Sequence, residues 1–434
     1  MSSRKKAADA KSDGEVTLVP RLRFPEFRNE SAWNLETLGA LGDFTRGLTY
    51  SARDVTSIGL LVLRSTNIQD GILVLDRELV FVSKACPDAL SLRKGDIVVC
   101  MSNGSKALVG KNAEYLGDYP GELTVGAFCS FYRPELPFAK IGFQTDRYQR
   151  YVADLIAGGN INNLTNTVLE SFNFPVPDSP TERQKVAECL SSVDELIAAQ
   201  ARKVDALKTH KKGLMQQLFP REGERQPHLR FSEFREHGEW KKVPLGEIAE
   251  IKLGKMLDKQ KHMSGHLLPY LNNLAVRWNE VNTSDLPRMY FEERELDRFG
   301  LRAGDVVVCE GGEPGRAAVW DGHLPDLKFQ KAIHRVRFKV PFEPKILVLH
   351  LENLAGTTEF EMLFTGGGIK HLTGETFSRL KIPLIPYAEQ QRIAYCMGSL
   401  DALITAETQK LDTLKHHKRG LMQQLFPASA NATA

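Results

Sequence analysis

Glycine-containing loops in two parts of the chain carry side chains that can hydrogen-bond to DNA bases. One loop, MSNGSKALVG, follows Cys100, and another, EGGEPGRAAVW, follows Cys309. The segments GGNINNLT (158–165) and GGGIKHLT (366–373) add asparagine, lysine and histidine. Asn, Lys and Arg reach base edges through hydrogen bonds, and Glu accepts one from cytosine. For each residue an ordinary surface turn is the alternative. The candidate DNA-contacting residues are Ser102, Asn103, Lys106, Asn160, Asn162, Asn163, Glu310, Arg316, Lys370 and His371.

Motifs that would make the chain an enzyme are missing from the sequence. No NPPY-type motif that grips an extruded base occurs, the nearest string being NFPVP at 173–177. Neither a GxxxxGK(S/T) loop for ATP nor a GxSxG nucleophile motif is present. The six cysteines form no CxxC pair and have no zinc-type spacing, which indicates reduced thiols. We therefore expect a non-catalytic chain with no metal or cofactor of its own.

The composition is that of ordinary globular domains, with 42% hydrophobic and 26% charged residues. No stretch approaches the ~18 apolar residues that span a bilayer, and the polar start of the chain lacks a signal-peptide core. These features predict a cytoplasmic protein with a disordered leader at 1–18 and a disordered tail at 428–434. The net charge of +3 permits a nucleic-acid partner but does not require one.

An internal repeat covers nearly the whole chain and contains these loops. KTHKKGLMQQLFP begins at Lys208 and KHHKRGLMQQLFP at Lys415, so the copies lie 207 residues apart (415 − 208). The openings LRFPEFR (22–28) and LRFSEFR (229–235) have the same offset. Between these anchors the copies diverge, although LRKGDIVVC resembles LRAGDVVVC. A repeated scaffold with different loop tips is what two readers of different half-sites need.

The divergent segments mix strand and helix patterns. LLVLRSTNI, DIVVC and DVVVCE are typical of short strands. DRYQRYVADLIAGG and PKILVLHLENLAG are typical of helices that end at a glycine. Because strands and helices do not alternate regularly, the predicted fold class is α+β, with mostly antiparallel or mixed sheets.

The conserved segments have the periodicity of long helices. Apolar residues recur at alternating three- and four-residue steps through 181–218 and again in the second copy, and Pro220 and Pro427 follow the two runs. A single helix of this kind would leave an apolar stripe exposed, so we expect the two to pack as an antiparallel coiled coil. The predicted interface residues are Val186, Leu190, Val193, Ile197, Val204, Leu207, Ile393, Met397, Leu400, Ile404, Leu411 and Leu414.

Polar and basic positions of these helices leave alternatives open. Gln200 with Glu407, and Lys211 with Lys418, interrupt the apolar seam in both copies, either to fix the register or because they lie at its wet edges. Basic runs at 208–212 and 415–419 either contact phosphates or face solvent. The repeated GLMQQLF predicts a protein contact or packing against the chain's own domain. The candidate partner-contact residues are Met215, Phe219, Met422 and Phe426.

Together these motifs resemble the specificity subunits of type I restriction–modification systems. The resemblance rests on the LRFPEF and LRFSEF openings, the LxxGD strand entries, the helix starts TERQKVA and AEQQRIA, and the GLMQQLFP endings, and it extends from Val19 to Pro427. It implies two similar mixed α/β target-recognition domains, at 19–178 and 221–386, separated by a pair of conserved helices at 179–220 and 387–427. Each domain would read one half of a bipartite, asymmetric double-stranded DNA target, and the helices would set the spacer.

The resemblance also implies partners. Two methyltransferase subunits would dock on the chain, and restriction subunits would bind through the methyltransferase core. S-adenosylmethionine, ATP and Mg²⁺ would belong to those partners, and no membrane would be involved. Three alternatives stay open: a specificity subunit of another restriction–modification type, a two-domain protein-binding scaffold, and an enzyme with disguised motifs.

Overall fold

The computed structural model describes residues 18–157, 163–221, 223–256, 265–366 and 370–427. The chain forms two compact units, of which unit 1 combines the part up to Gln200 with the part from Lys410 onward, and unit 2 is Ala201–Gln409. All of the predicted leader except Leu18, and the whole predicted tail, lie outside the described residues. No helix among the described residues is long and apolar enough to cross a bilayer.

Unit 1 contains two four-stranded sheets. Its strands are β1 (Asn34–Thr37), β2 (Gly42–Arg46), β3 (Val55–Thr56), β4 (Leu60–Leu63), β5 (Ile68–Gln69), β6 (Ile72–Leu73), β7 (Phe81–Val82), β8 (Ile97–Cys100), β9 (Asn112–Glu114), β10 (Leu123–Val125), β11 (Cys129–Pro134) and β12 (Asn173–Val176). The antiparallel sheet has the order β2-β11-β8-β9, and the mixed sheet β10-β4-β7-β3 pairs β10 parallel to β4. The pairs β1–β12 and β5–β6 stand apart from these sheets.

Unit 2 repeats this plan. Its strands are β13 (Lys241–Pro244), β14 (Ala249–Leu253), β15 (His266–Leu271), β16 (Val276–Arg277), β17 (Glu280–Val281), β18 (Arg288–Phe291), β19 (Val306–Cys309), β20 (Ala317–Val319), β21 (Lys328–Phe329), β22 (Ile333–Phe338) and β23 (Lys381–Leu384). The antiparallel sheet β14-β22-β19-β20 corresponds to β2-β11-β8-β9, and β15 again has a parallel neighbour, β21. The duplicated α+β fold predicted from the sequence is confirmed.

Short helices flank the sheets, and one long helix follows each set of strands. The helices are α1 (Ala139–Gly142), α2 (Asp146–Ala157), α3 (Asn166–Glu170), α4 (Pro180–Leu218), α5 (Leu245–Ile248), α6 (Glu293–Leu296), α7 (Pro344–Leu354), α8 (Thr358–Glu361), α9 (Gly374–Arg379) and α10 (Tyr387–Leu425). The two long helices have 39 residues each. The division between the units falls within both of them, so each unit contains part of α4 and part of α10.

Ion pairs join α4 and α10 in antiparallel register. In unit 2, Lys211 Nζ lies 2.7 Å from Asp401 Oδ1, and in unit 1, Lys418 Nζ lies 2.6 Å from Asp194 Oδ1. The two pairs are repeat equivalents, because Lys418 lies 207 residues after Lys211 and Asp194 lies 207 residues before Asp401. The predicted antiparallel packing of the two helices is confirmed. Because Lys211 is buried and ion-paired, it does not lie at a wet edge of the seam.

The predicted seam residues face inward in both helices. Five of the twelve are buried, namely Val186, Leu190, Val204, Ile393 and Met397. The other seven are half-buried, namely Val193, Ile197, Leu207, Leu400, Ile404, Leu411 and Leu414. Since none is exposed, the apolar stripe of each helix is covered along its length.

The four residues predicted to contact a partner protein instead lie inside the units. Met422 and Phe426 pack into the core of unit 1, where the Phe426 ring meets Trp33 with centroids 5.5 Å apart. Met215 and Phe219 occupy the equivalent core of unit 2. All four are buried, so the prediction of an exposed docking patch is wrong. Packing against the chain's own domain, the other interpretation of GLMQQLF, is what the structure has.

The two LRF openings dock on the ends of the long helices. The Leu22 amide donates to the Gln424 carbonyl in unit 1 at 2.9 Å, and the Leu229 amide donates to the Gln217 carbonyl in unit 2 at 2.9 Å. The first opening therefore packs on the end of α10, and the second opening packs in the same way on the end of α4.

A buried arginine–glutamate pair holds each opening. Arg23 donates from Nε and Nη2 to the Glu182 carboxylate at 2.7 Å each, and Arg230 donates likewise to Glu389 at 2.8 Å each. Two parallel bonds per pair are the strongest geometry for these groups. Both glutamates lie in the first turn of a long helix, so each pair joins a helix start to the segment that opens the domain.

Removing one partner of such a pair leaves a buried charge uncompensated. We expect Glu389→Gln to lower the free energy of unfolding by about 3 kcal/mol, measured by urea denaturation of the full chain. As a control, Glu26→Gln removes the exposed pair with Lys185 and is expected to cost less than ~1 kcal/mol. Equal effects of the two substitutions would contradict a stabilising role for the Arg230–Glu389 pair.

A buried histidine on α7 packs against the end of α4 within unit 2. His350 on α7 stacks on Phe219 with ring centroids 6.3 Å apart, and its Nε2 lies 3.2 Å from the Lys381 carbonyl. Burial lowers the pKa of His350 to about 4. The ring is therefore neutral at pH 7 and packs as an apolar surface with one hydrogen bond.

This histidine predicts a loss of stability in acid. Unfolded histidine titrates near ~6.5, so between that pH and about 4 the unfolded chain binds the extra proton, and stability falls as the pH falls. We expect unfolding curves at pH 7 and pH 4 to differ less for His350→Gln than for wild type, by up to about 3 kcal/mol. The exposed His210→Gln is the control and should behave as wild type.

Candidate nucleic-acid interface

In unit 1 three chain segments meet at the end of β8. The amides of Met101 and Ser102 both donate to the Phe128 carbonyl, at 2.9 and 3.1 Å, and the Leu164 amide donates to the Met101 carbonyl at 2.7 Å. Ser102 also forms a β-bridge with Asn163. The predicted residues Ser102, Asn103 and Asn163 therefore lie together, whereas Asn160 and Asn162 fall outside the described residues. Exposed Lys106 follows in the same loop, at the start of a short 3-10 helix.

A cavity of about 490 Å³ opens at this junction. Its polar wall includes Arg64, Ser65 and Asn103, and its apolar wall includes Tyr50 and Phe128. Asn103 Nδ2 donates to Ser65 Oγ at 2.9 Å, which fixes the amide beside the loop that follows β4. An apolar wall with a few convergent polar groups is the usual form of a ligand pocket.

Two residues of this cavity were not found from the sequence. Phe128 is 71% exposed at the turn before β11, although aromatic rings normally lie inside. Arg64 comes directly after the buried strand β4, and within the described part of the chain its guanidinium makes one long hydrogen bond, from Nη2 to the Glu78 carbonyl at 3.5 Å. An arginine at the end of an apolar strand, in LLVLRSTN, was the available signal.

Unit 2 builds the same junction with other side chains. The Glu310 amide donates to the Ala332 carbonyl at 2.8 Å, and the Leu372 amide donates to the Glu310 carbonyl at 2.8 Å. Glu310 therefore takes the place of Met101, and His371 the place of Asn163. Gly311 lies close to His371, since an added Cβ would lie 3.1 Å from His371 Nδ1. A carboxylate thus stands in place of the Met101 thioether, and an imidazole in place of the Asn163 amide.

The two predicted cations of unit 2 are already engaged by the protein. Arg316 donates from Nη2 to the Asn273 carbonyl at 2.7 Å and from Nη1 to Glu313 at 2.8 Å, so both of its terminal nitrogens hold neighbouring loops together. Lys370 forms an ion pair with Glu361 at 3.1 Å in which both side chains are about half exposed. An exposed pair of this kind is weak, so Lys370 can exchange it for a phosphate.

A buried histidine positions the tip of unit 2. His334 on β22 donates from Nε2 to the Leu372 carbonyl at 2.7 Å, next to exposed His371. Burial lowers the pKa of His334, against the opposing effects of that hydrogen bond and of Glu310. The neutral ring therefore fixes the backbone that carries His371 and does not itself reach solvent.

The cysteines near both junctions are not nucleophiles. All six are free thiols, and Cys100 and Cys309 are buried at the ends of β8 and β19. Burial raises the pKa of both, and it raises that of neighbouring Cys129 to about 12. A protonated buried thiol is unreactive. Among the described residues, no group of His, Cys, Asp and Glu is placed to hold a metal ion.

Comparisons of sequence and structure identify known proteins that are similar to this chain. Residues 237–416 match the family described as type I restriction modification DNA specificity domain. The EcoKI specificity subunit of Escherichia coli K12, a type I restriction enzyme, is 26% identical over 381 residues, covering 83% of this chain and 80% of that protein. The StySPI specificity subunit of Salmonella potsdam is 32% identical over 174 residues, covering 37% of this chain and 36% of that one.

Over most of its length the chain is similar to type I restriction–modification specificity subunits. The fold agrees with this, since an S subunit structure from M. genitalium has a TM-score of 0.55 at 15% identity and covers 95% of this chain and 100% of that one. A second type I system structure, covering 91% and 98%, has a TM-score of 0.52 at 18% identity. The matched domain is described by its DNA specificity and the relatives are named specificity subunits, which agrees with the prediction of a non-catalytic chain.

Proposed function

We propose that this specificity subunit reads a bipartite, asymmetric double-stranded DNA target, with one half-site read by each unit. The observation that carries the proposal is the shared backbone junction, which presents Ser102 and Asn163 in unit 1 but Gly311 and His371 in unit 2. Two similar scaffolds with different tips suit two different base sequences. The spacer-setting role of the helix pair stays a prediction.

The chemistry of each tip suggests what it reads. In unit 1, Arg64 and Asn103 have geometries that pair with guanine and adenine edges, and Phe128 provides an apolar surface for a thymine methyl group. In unit 2, the Glu310 carboxylate is an acceptor for the cytosine amine. Phosphate contacts position such tips without reading sequence, a role open to Lys106 and Lys370.

Partner subunits supply the chemistry in this proposal. Two methyltransferase subunits dock on the chain and carry S-adenosylmethionine, and restriction subunits with ATP and Mg²⁺ bind through that core in the cytoplasm. The repeat supports two identical partners, because Leu196 on α4 and Leu403 on α10 are equivalent positions and are 58% and 42% exposed. Exposed leucines at matching places are the kind of surface that a protein contact covers.

Genome-wide mapping of methylated positions in cells that carry the complete system tests target recognition. We expect one bipartite motif, and we expect Phe128→Ser to relax or weaken recognition in one half only, by about tenfold or more in affinity. The control is Leu116→Ser, which removes a 57% exposed leucine after β9, at the opposite end of the antiparallel sheet. Changes in both halves, or a wild-type map without a bipartite motif, would contradict the proposal.

The stoichiometry of the purified complex tests partner binding. We expect Leu196→Glu and Leu403→Glu each to remove one methyltransferase subunit, and the double variant to remove both, as read by native mass spectrometry. Tyr395→Ser is the control, because this exposed α10 tyrosine has Glu188 as its counterpart and so marks no shared surface. Two bound methyltransferase subunits on the double variant would refute the docking site, and association of unrelated proteins would favour the scaffold alternative.

A further inference from the structure

Four arginines line one cavity of unit 1, at the start of α2 and the end of α10. Arg147 and Arg150 come from the first turns of α2, Arg419 from α10, and Arg21 from the segment that opens the unit. The cavity holds about 280 Å³. It lies at the N-terminal end of α2, whereas Asn163 at the DNA-reading junction follows the C-terminal end of that helix. The cavity is therefore separate from the base-reading tip.

The positive charge in this cavity has little compensation. Within the described part of the chain, none of the four arginines forms an ion pair with a carboxylate. Arg147 donates to the Asn173 carbonyl and to Asn173 Oδ1, at 2.9 and 2.6 Å, which are neutral acceptors. The one carboxylate in the lining, Asp146, accepts from Gln423 Nε2 at 3.0 Å. Burial and repulsion by Arg150 lower the pKa of Arg147.

Unit 2 does not repeat this cluster. The repeat equivalents of Arg21 and Arg419 are His228 and Lys212, and α7 and α8 contain no arginine. At the matching end of α4 in unit 2, Lys345 is paired with Asp401 at 2.9 Å. Since the repeated scaffold folds without an arginine cluster, the fold itself does not require one.

We propose that this cavity binds a phosphate group. The guanidinium fork matches phosphate oxygens in bidentate geometry, and several forks can share one phosphate because it offers three or more acceptors. A carboxylate has only two oxygens and suits one fork. The first turn of α2, a 12-residue helix, adds a favourable potential for an anion. The site stands independently of the proposed reading of half-sites.

Binding of inorganic phosphate to the full chain tests the site directly. The measurements are line broadening of the phosphate ³¹P resonance and the Tm in phosphate against chloride at equal ionic strength. Phosphate stabilises many proteins without binding them, so the decisive quantity is the difference between wild type and variants. We expect Arg150→Gln and Arg419→Gln to lose the broadening and most of the extra stabilisation, while Arg28→Gln, an exposed arginine outside the cavity, keeps both.

A second signature separates a binding site from a structural cluster. In chloride alone, Arg150→Gln should be at least as stable as wild type, because it relieves repulsion with Arg147. Phosphate effects that are equal in wild type and in both variants would overturn the proposal. So would an absence of phosphate binding combined with loss of methyltransferase subunits from the variants, since that result would assign the cavity to an acidic protein surface.

The source of the phosphate group is distinguished in the assembled complex with DNA. If the cavity holds a backbone phosphate, Arg419→Gln makes the slope of log K against log salt shallower by about 0.9 for each phosphate that the variant no longer neutralises, with the sequence preference unchanged. An unchanged slope, together with phosphate binding by the free chain, points to a small phosphorylated molecule.

Discussion

Each long helix carries an apolar stripe that is covered only with the help of the other helix, and the rest of the structure depends on this. In unit 1 the core combines Val186 and Leu190 of α4 with Met422 of α10 and with Phe426, which directly follows α10. In unit 2 the roles of the helices are exchanged, so that Ile393 and Met397 of α10 share a core with the end of α4. A lone amphipathic helix is marginal in water, so both cores need residues that are far apart in sequence.

Polar pairs select the register that the apolar stripes alone would leave loose. Buried Lys211 lies between Asp401 and Glu352, at 2.7 and 3.1 Å. A slide of α10 by one turn would separate Asp401 from this buried ammonium, which is destabilising. An apolar seam alone has no comparable penalty, because leucine packs against leucine in several registers. The repeated Lys–Asp pairs therefore supply the specificity of the helix pairing, and the leucines and valines supply most of its free energy.

The elements that recur at regular spacing could be predicted from the sequence, and those that depend on strand pairing could not. The periodicity of α4 and α10 and the offset of 207 residues predicted the helices, their antiparallel packing and the duplicated α+β domains. Arg64 was missed because it comes near Asn103 only once β4 and β8 lie in their sheets. Phe219 and Phe426 were predicted to contact a partner protein but lie in the cores of the units. An apolar pattern shows that a helix face is covered, but it does not show which surface covers it.

The backbone bonding of the two junctions explains how the tips can differ on one scaffold. Strand end, turn and loop are joined by main-chain hydrogen bonds, through Met101 and Phe128 in unit 1 and through Glu310 and Ala332 in unit 2. Main-chain bonds tolerate almost any side chain, so a methionine can become a glutamate here without loss of the junction.

At the starts of the two long helices, by contrast, the bonds are made by side chains. Arg23 and Glu182, like Arg230 and Glu389, bond through their side chains, and these residues are identical in both copies. The paired side chains at the helix starts thus recur in both copies, whereas the side chains at the two junctions differ while their main-chain bonds recur. The arrangement separates the residues that close each unit from those at the tips, so the side chains of a tip can change without disturbing the helix pair.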